Sequence, residues 1–506
     1  MTVSDITPEA RAARALVALE GVTKRYAAIT ALDGVSMAIA PGEAVCLAGE
    51  NGSGKSTLIK VLVGVERHDE GTIRFDGAAQ GRITPGSAAA AGIKVIFQDF
   101  ALFPNMTVAE NIALPSERAE GARLFARGRV RQRAAEVLER IGVDLDLSAR
   151  VERLPVAHKQ VVAIARALAG GARLIVMDEP TTALTEREVA RLLALIRRLK
   201  ADGVAILFVS HKLAEVLEVC EHVVVLRNGE KVADGPAARF DAASLTRAMT
   251  GRDVASGPPA PLRGDAPTVL EVAGLSKEGA FADVSFALRA GEVLGIAGLL
   301  GSGRTSLAKA LFGLAAPDAG RIVLDGEALA TGDPVAAAAA GIGYVPEDRL
   351  TEGLFLTQSI ARNVAVGRLG AHAPRGVLDL RAMRAEAGEW LRRLSVKAPD
   401  AEAPVRSLSG GNQQRVVLAR WMARAPKVLV LNGPSVGVDV GSKAEIHGIV
   451  ADLAAQGLGV IVISDDLPEI LATCHRILVM KAGRVTDEVA GGAGVTEDDL
   501  SHRLAS

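Results

Sequence analysis

The chain lacks any uninterrupted apolar run approaching the roughly 18 residues that a membrane-spanning helix needs. It also lacks an excess of charge of either sign: 58 Lys and Arg against 59 Asp and Glu leave a formal net charge of −1. A bilayer span is therefore not expected, and no electrostatic footprint for nucleic acid is present. Cysteine is scarce. Cys46, Cys220 and Cys474 are the only three and show no CxxC spacing, so buried inert thiols are expected rather than a metal or redox site. The opening MTVSDITPEARAARA has neither the basic n-region nor the apolar h-region of a secretion signal, and a cytoplasmic chain is expected. What the sequence does hold is apolar residues, 49% of 506, with 23% charged. That is the balance of a packed globular chain, long enough for roughly two to four domains.

The chain also repeats itself. GTIRFDG starts at Gly71 and GRIVLDG at Gly320, 249 residues apart (320 − 71). The same offset relates GENGSGKS at Gly49 to GLLGSGRT at Gly298, and Gln98 to Glu347. From LPVAH at Leu154 and LSGGN at Leu408 the offset is 254 (408 − 154), which also relates LIVMDEP to VLVLNGP and FVSH to VISD. Two copies of one fold therefore differ by a net insertion of five residues (254 − 249). Between them GRDVASGPPAPLRGDAPT, rich in Gly and Pro, reads as a linker. The expected bounds are a first domain over 15–250, a linker over 251–267 and a second domain over 268–504. In each half, short strands with turn signals lead into a helix-rich middle, and buried strands alternating with helices follow. Short apolar runs bounded by charged turns predict parallel strands covered on both faces, hence an α/β fold with a helical subdomain inserted in each half.

Gly49 to Ser56, GENGSGKS, fits G-x-x-x-x-G-K-[ST] and lies between the apolar strand AVCLAG and the helical run TLIKVLVG. Glycines let such a loop wrap closely around phosphate oxygens, Lys55 reaches the outer phosphates, and the Ser56 hydroxyl suits Mg²⁺. LIVMDEP ends a buried strand on Asp178, a carboxylate for the Mg²⁺ shell, and on Glu179, placed to polarise a water as general base. His211 ends the strand AILFVSH and could reach a terminal phosphate, although a strand-end His is as readily structural. Gln98 is unremarkable alone, and Tyr26, one of two tyrosines, fits adenine stacking or a plain surface role.

Taken together, these residues resemble the ATP-binding cassette family, whose signature is LSGGN, here at Leu408–Asn412. The resemblance covers the chain twice. It implies two tandem P-loop cassette domains, each a RecA-like α/β core with a small antiparallel β subdomain and an inserted helical subdomain. It further implies ATP and Mg²⁺ as cofactors. Tyr26, Gly49, Asn51, Gly52, Gly54, Lys55, Ser56 and Thr57 would hold the nucleotide, Ser56, Gln98 and Asp178 the metal, and Glu179, His211 and Gln98 would serve hydrolysis.

The halves differ where the chemistry lies. The second loop keeps Gly298, Gly303 and Thr305 but has Arg304 for Lys, and Asn432, Gly433, Glu347 and Asp465 replace the Asp, Glu, Gln and His. Its signature Ser409-Gly410-Gly411 and Asp439 are intact, whereas the first signature reads Leu154-Pro155-Val156-Ala157-His158, with Thr185 where Asp439 stands. Head-to-tail pairing of the halves, which the resemblance implies, joins the good loops to the good signature and leaves the other site degenerate. GLLGSGRTSL, YVPEDR and LSGGNQQRVVLARW are most similar to the ATPase subunits of bacterial monosaccharide importers of the ribose, galactose and xylose class. That similarity implies integral-membrane permease subunits and an extracytoplasmic sugar-binding protein as partners, no nucleic acid, and a peripheral place on the cytoplasmic face of the membrane. Importers of nucleosides or other small polar solutes are an alternative. A soluble tandem cassette ATPase acting on ribosomes or DNA is another, against which the short linker and near-neutral charge argue.

Overall fold

The computed structural model describes residues 15–505 except 28, 98, 120–125, 182–183, 185, 211–216, 252–260, 263, 300, 374–375 and 493. The chain folds as two compact units, Met1–Val254 and Ala255–Ser506.

The first unit has strands β1 (Val17–Tyr26), β2 (Ile29–Ile39), β3 (Ala44–Ala48), β4 (Glu70–Phe75), β5 (Ala78–Ala79), β6 (Ile93–Ile96), β7 (Leu174–Asp178), β8 (Ala205–Val209), β9 (His222–Arg227) and β10 (Glu230–Pro236). They form a four-stranded antiparallel sheet, order β2-β1-β4-β5, and a six-stranded sheet, order β10-β9-β3-β8-β7-β6. In the larger sheet every pair is parallel except β9 with β10. All five residues of AVCLA in β3 and of AILFV in β8 are buried, as strands covered on both faces require. β10 was not foreseen as part of this sheet. Its polar sequence EKVADGP suits an edge, and Asn228 (φ 52°) and Gly229 (φ 85°) make the tight turn that reverses it.

Helix α1 (Lys55–Leu62) follows β3 and buries Leu58, Ile59, Val61 and Leu62 against the sheets. The predicted helical subdomain comprises α2 (Val108–Ala119), α3 (Arg127–Ile141) and α4 (Val156–Ala169). α3 buries Val130, Ala134, Leu138 and Ile141 at helical spacing and stops at Gly142, whose φ of 68° is the left-handed cap that glycine adopts at least cost.

The second unit repeats the plan. Strands β11 (Thr268–Lys277), β12 (Phe281–Arg289), β14 (Ala319–Leu324) and β15 (Glu327–Ala328) form the antiparallel sheet, order β12-β11-β14-β15. β16 (Ile342–Val345), β17 (Val428–Asn432), β18 (Gly459–Ser464), β13 (Val293–Ala297), β19 (Arg476–Lys481) and β20 (Arg484–Ala490) form the larger sheet in that order. Its helices include α5 (Arg304–Leu311), α6 (Ile360–Ala365), α7 (Leu380–Arg393), α8 (Gly410–Met422) and α9 (Val440–Ala455).

The repeat places three of the five inserted residues. Asn111, fully buried, accepts from the Phe103 amide at 2.8 Å and donates to the Phe103 carbonyl at 3.0 Å. Asn363 makes the same pair of bonds with Phe355, at 2.9 and 3.0 Å. These landmarks are 252 apart (363 − 111), so three inserted residues fall between positions 347 and 355, where the second unit alone makes a wide helical turn, Arg349–Gly353. The three cysteines are buried, as expected.

Candidate functional site

Each unit carries a glycine-bent loop between its central strand and the next helix. In the first, Gly49, Gly52 and Gly54 have φ of 153°, 82° and 106°. A Cβ on Gly49 would stand 2.4 Å from the Leu226 carbonyl, and one on Gly54 2.5 Å from that of Ala31, so only glycine lets the loop settle onto its neighbours. Backbone bonds then fix it: Gly229 donates to Ser53 at 3.0 Å, and Asp33 donates to Gly229 at 2.9 Å.

The loop delivers the chain into α1 at Gly54 with no side-chain cap and no acidic residue in the first turn. First-turn amides without an internal acceptor, on a helix whose N-terminus carries partial positive charge, make an anion site. Lys55 curls over the loop and donates to the Gly49 and Glu50 carbonyls at 2.7 and 2.8 Å. The Ser53 hydroxyl is buried without a hydrogen-bond partner among the described residues. A triphosphate fits this cradle in charge and in donor set.

Around it the structure gathers several of the predicted residues. Ser56 and Thr57 lie in the first turn of α1. Tyr26 ends β1, 39% exposed, with the Lys24 ammonium 5.0 Å above its ring. Partial burial and then the Glu66 carboxylate raise the Tyr26 pKa, and its hydroxyl lies within bonding reach of Thr57 at the start of α1. Asp178 ends β7, half-buried, and burial followed by the Glu179 charge raises its pKa while Lys55 pulls it down. A carboxylate under those opposed influences suits a bound cation. Glu179 sits at φ 48°, a left-handed conformation costing a non-glycine residue about 1–2 kcal/mol. Its amide donates to the Val209 carbonyl at 2.8 Å. Asn51 is exposed on the loop. Gln98, His211 and Thr185 lie outside the described residues.

The second loop keeps the cradle and changes its contents. Gly303 caps α5 at φ 94°, again with no side-chain cap, and Gly298 meets the Ser302 hydroxyl where a Cβ would be. Arg304 is 5% exposed, and its guanidinium pairs with Asp465 at 2.9 Å while its second terminal nitrogen finds no partner among the described residues. The two residues at the Lys and His positions thus satisfy each other. Thr305 reaches Glu347 at 3.4 Å. Asn432 is 2% exposed, and Gly433 takes φ 60°, the same left-handed turn that Glu179 occupies, with its amide bonded to Ile463 at 2.7 Å. A Cβ there would stand 2.9 Å from Val436 and 3.1 Å from Glu347.

The signature starts also diverge. α8 begins at Ser409 with no side-chain cap, and the Ser409 hydroxyl accepts from Asn412 at 2.9 Å. α4 begins at Pro155, which has no hydroxyl to offer. A Cβ on Gly411 would lie 2.3 Å from Ser442, and one on Gly410 2.7 Å from Arg349, so both signature glycines are required by contacts within their own unit. Asp439 is buried as the cap of α9, accepting from the Ser442 amide at 2.9 Å and the Ser442 hydroxyl at 3.1 Å. Arg349 and Ser442 were not singled out from the sequence: Arg349 bonds backbone carbonyls, which leave no side-chain pattern, and Ser442 bonds Asp439, which was read only as a nucleotide contact.

Two glycine-lined phosphate cradles, each opening an α-helix from a central parallel strand, define a P-loop nucleoside triphosphatase in duplicate. The sequence profile described as ABC transporter matches residues 32–182 and 281–436. The chain belongs to the ABC transporter family, a family that binds ATP, generally with Mg²⁺, and couples its hydrolysis to transport. "Ribose import ATP-binding protein RbsA 2" of Streptomyces avermitilis is 42% identical over 486 residues, 96% of each chain. "Ribose import ATP-binding protein RbsA 1" of Streptomyces coelicolor is 43% identical over 475 residues, 94% of each chain. Among solved structures, the complex of an archaeal ribosomal stalk protein with the recycling factor aABCE1 matches 96% of this chain and 92% of that one, with a TM-score of 0.61. At 20% identity that match speaks for the fold alone.

Two outcomes follow from the site. Because Asp178 is held protonated to higher pH in the folded state than in the unfolded chain, its contribution favours folding at low pH and fades as pH rises through the raised pKa. Asp178→Asn should therefore raise the thermal midpoint of the nucleotide-free protein at pH 7.5, shrink that gain toward pH 4, and abolish stabilisation by Mg²⁺-ATP; differential scanning fluorimetry across pH reads all three. Asp465→Asn should free Arg304 and strengthen photolabelling of the second unit by an azido-ATP roughly fivefold, about 1 kcal/mol for a half-exposed ion pair, scored on tryptic fragments.

Proposed function

We propose that this chain is the ATP-hydrolysing subunit that energises import of a simple sugar of the ribose class through a membrane permease. The relatives' names support the sugar, and the observation that carries the division of labour is a complementarity between the units. The first has the cradle with Lys55, Asp178 and Glu179 but starts its signature helix on Pro155. The second ties Arg304 to Asp465 and has Gly433 for the acid, yet starts its signature helix on an open Ser409.

In this reading the first loop binds the phosphates through Lys55 and the opening amides of α1, with Tyr26 beside the adenine. Ser56, Asp178 and Gln98 would hold Mg²⁺, which supplies charge compensation at the phosphate oxygens. Glu179 takes a proton from the attacking water, and His211 and Gln98 orient that water and the terminal phosphate. Ser409, Gly410 and Gly411 act on the same nucleotide by presenting a hydroxyl and a helix N-terminus to charge developing on the terminal phosphate. The second loop, Gly298 to Thr305, does not turn over. The domain bounds we assign are 15–250 and 268–504, joined by 251–267. Exposed Phe103 and Phe355, pinned by Asn111 and Asn363, open the segments offered to the permease, and an extracytoplasmic binding protein chooses the sugar. The chain then works at the cytoplasmic face of the membrane, where no helix among its described residues is long and apolar enough to cross.

The test is steady-state hydrolysis and labelled ribose uptake in vesicles reconstituted with the permease and binding protein. Glu179→Gln and Ser409→Pro should each lower both rates roughly 10²-fold or more, whereas Asn432→Ala should leave them within about twofold. Hydrolysis that survives Glu179→Gln and vanishes with Asn432→Ala would reverse the assignment. Uptake of another solute in place of ribose would move the substrate class.

A further inference from the structure

Arg349 has no role in the scheme above, and its geometry gives it one. It opens the wide turn Arg349–Gly353, two residues after Glu347, in the three-residue enlargement of the second unit. Asp348 caps that turn, accepting from the amides of Leu350 and Thr351 at 2.9 and 3.2 Å and from the Thr351 hydroxyl at 2.7 Å. From this fixed base the Arg349 guanidinium crosses to the loop preceding α9. It donates to the Val436 carbonyl at 2.5 Å and to the Gly437 carbonyl at 2.9 Å. The same nitrogen that bonds Gly437 lies 2.7 Å from where a Cβ on Gly410 would be.

Three pieces meet at this one side chain: the segment after position 347, the loop ending at Asp439, and the first turn of the signature helix α8. The contact is reinforced from behind, where Gly411 packs on Ser442 and Ser442 is bonded to Asp439. A planar guanidinium suits the task, since it bridges two carbonyls at once and holds a fixed angle between them.

The first unit shows that the fold does not need this latch. Its sheets have the same strand order, and its corresponding segment is Asp99-Phe100-Ala101-Leu102, which contains no basic residue. At the register of Gly410 it carries Val156, 39% exposed, in place of glycine. Both units do share a different arginine. Arg166 donates to the Phe100 and Ala101 carbonyls, and Arg420 to the Gly353 carbonyl at 2.6 Å, tying each segment to its own signature helix. Arg349 is thus an addition, and it occurs in the unit whose signature is intact.

We propose that Arg349 is a positioning residue for ATP hydrolysis: it locks the segment after position 347, the Val436–Gly437 loop and the start of α8 into one block, so that displacement of that segment reaches Ser409, Gly410 and Gly411. This rests on the reading that the second unit's signature serves hydrolysis. Arg349 touches no reacting atom. It governs where the signature stands, and its loss acts on turnover and leaves nucleotide affinity at the first loop alone.

The experiment compares Arg349→Gln, Arg349→Lys and Glu179→Gln in the full chain reconstituted with the permease and binding protein. Arg349→Gln should lower kcat about tenfold or more, as misplacement of a positioned group does, with KM for ATP within about twofold and an unchanged thermal midpoint. Arg349→Lys, which can reach one carbonyl, should recover part of kcat. An unchanged kcat in Arg349→Gln, with Glu179→Gln inactive, would overturn the proposal and leave the functional reading standing. A fall in kcat matched by a lowered midpoint, with no recovery in Arg349→Lys, would also overturn it by making Arg349 structural. An active Glu179→Gln would remove the functional reading itself.

Discussion

The structure depends on helix starts left open at their N-terminal amides. Such a start is ordinarily closed by a Ser, Thr, Asp or Asn side chain, worth about 1 kcal/mol. The chain uses that closure elsewhere, with Asp379 capping α7 and Asp439 capping α9. At α1, α5 and α8 it does not. There, the loops before α1 and α5 and the turn at Ser409 deliver the chain with the first amides and the positive end of the helix dipole uncommitted, an arrangement that suits an anion. The glycine contacts with Ala31, Leu226 and Ser442 follow from this constraint, because the backbone must approach closely for the open ends to face where they do.

Against that shared frame, the units differ in what lies beside each open end. The first has Lys55 and two adjacent carboxylates, Asp178 and Glu179, an arrangement of mutual repulsion and local backbone strain that a bound cation and nucleotide would relieve. The second pairs its cation within its own unit. Arg304 finds Asp465, Asn432 carries no charge, and a glycine occupies the left-handed turn. One cradle sets its cation beside two carboxylates, and the other ties its cation to Asp465.

Much of this was legible in the sequence, and the reasons are specific. The 249 and 254 registers, the phosphate loops and the strand ending in Asp178 each combine local pattern with local chemistry, and the strand order that followed agrees with them. The buried thiols and the α/β class were read correctly as well. The antiparallel edge β10 was missed because an exposed edge strand has no apolar signature. The place of the insertion was invisible until Asn111 and Asn363 were seen making the same paired bonds. Arg349 escaped notice because the carbonyl oxygens it bonds have no letter in a sequence. Asp439 was expected at a nucleotide and is found first as a helix cap.

The left-handed turn shared by Glu179 and Gly433 gives the duplicated chain a direction of drift. Exchanging the acid for glycine at that position releases backbone strain, so a copy relieved of catalysis moves downhill in free energy when it loses the carboxylate. A side chain at 433 would stand 2.9 Å from the Val436 side chain and 3.1 Å from that of Glu347, so restoring the acid asks both neighbours to shift. Backbone conformation at this one position therefore favours asymmetry between the two halves.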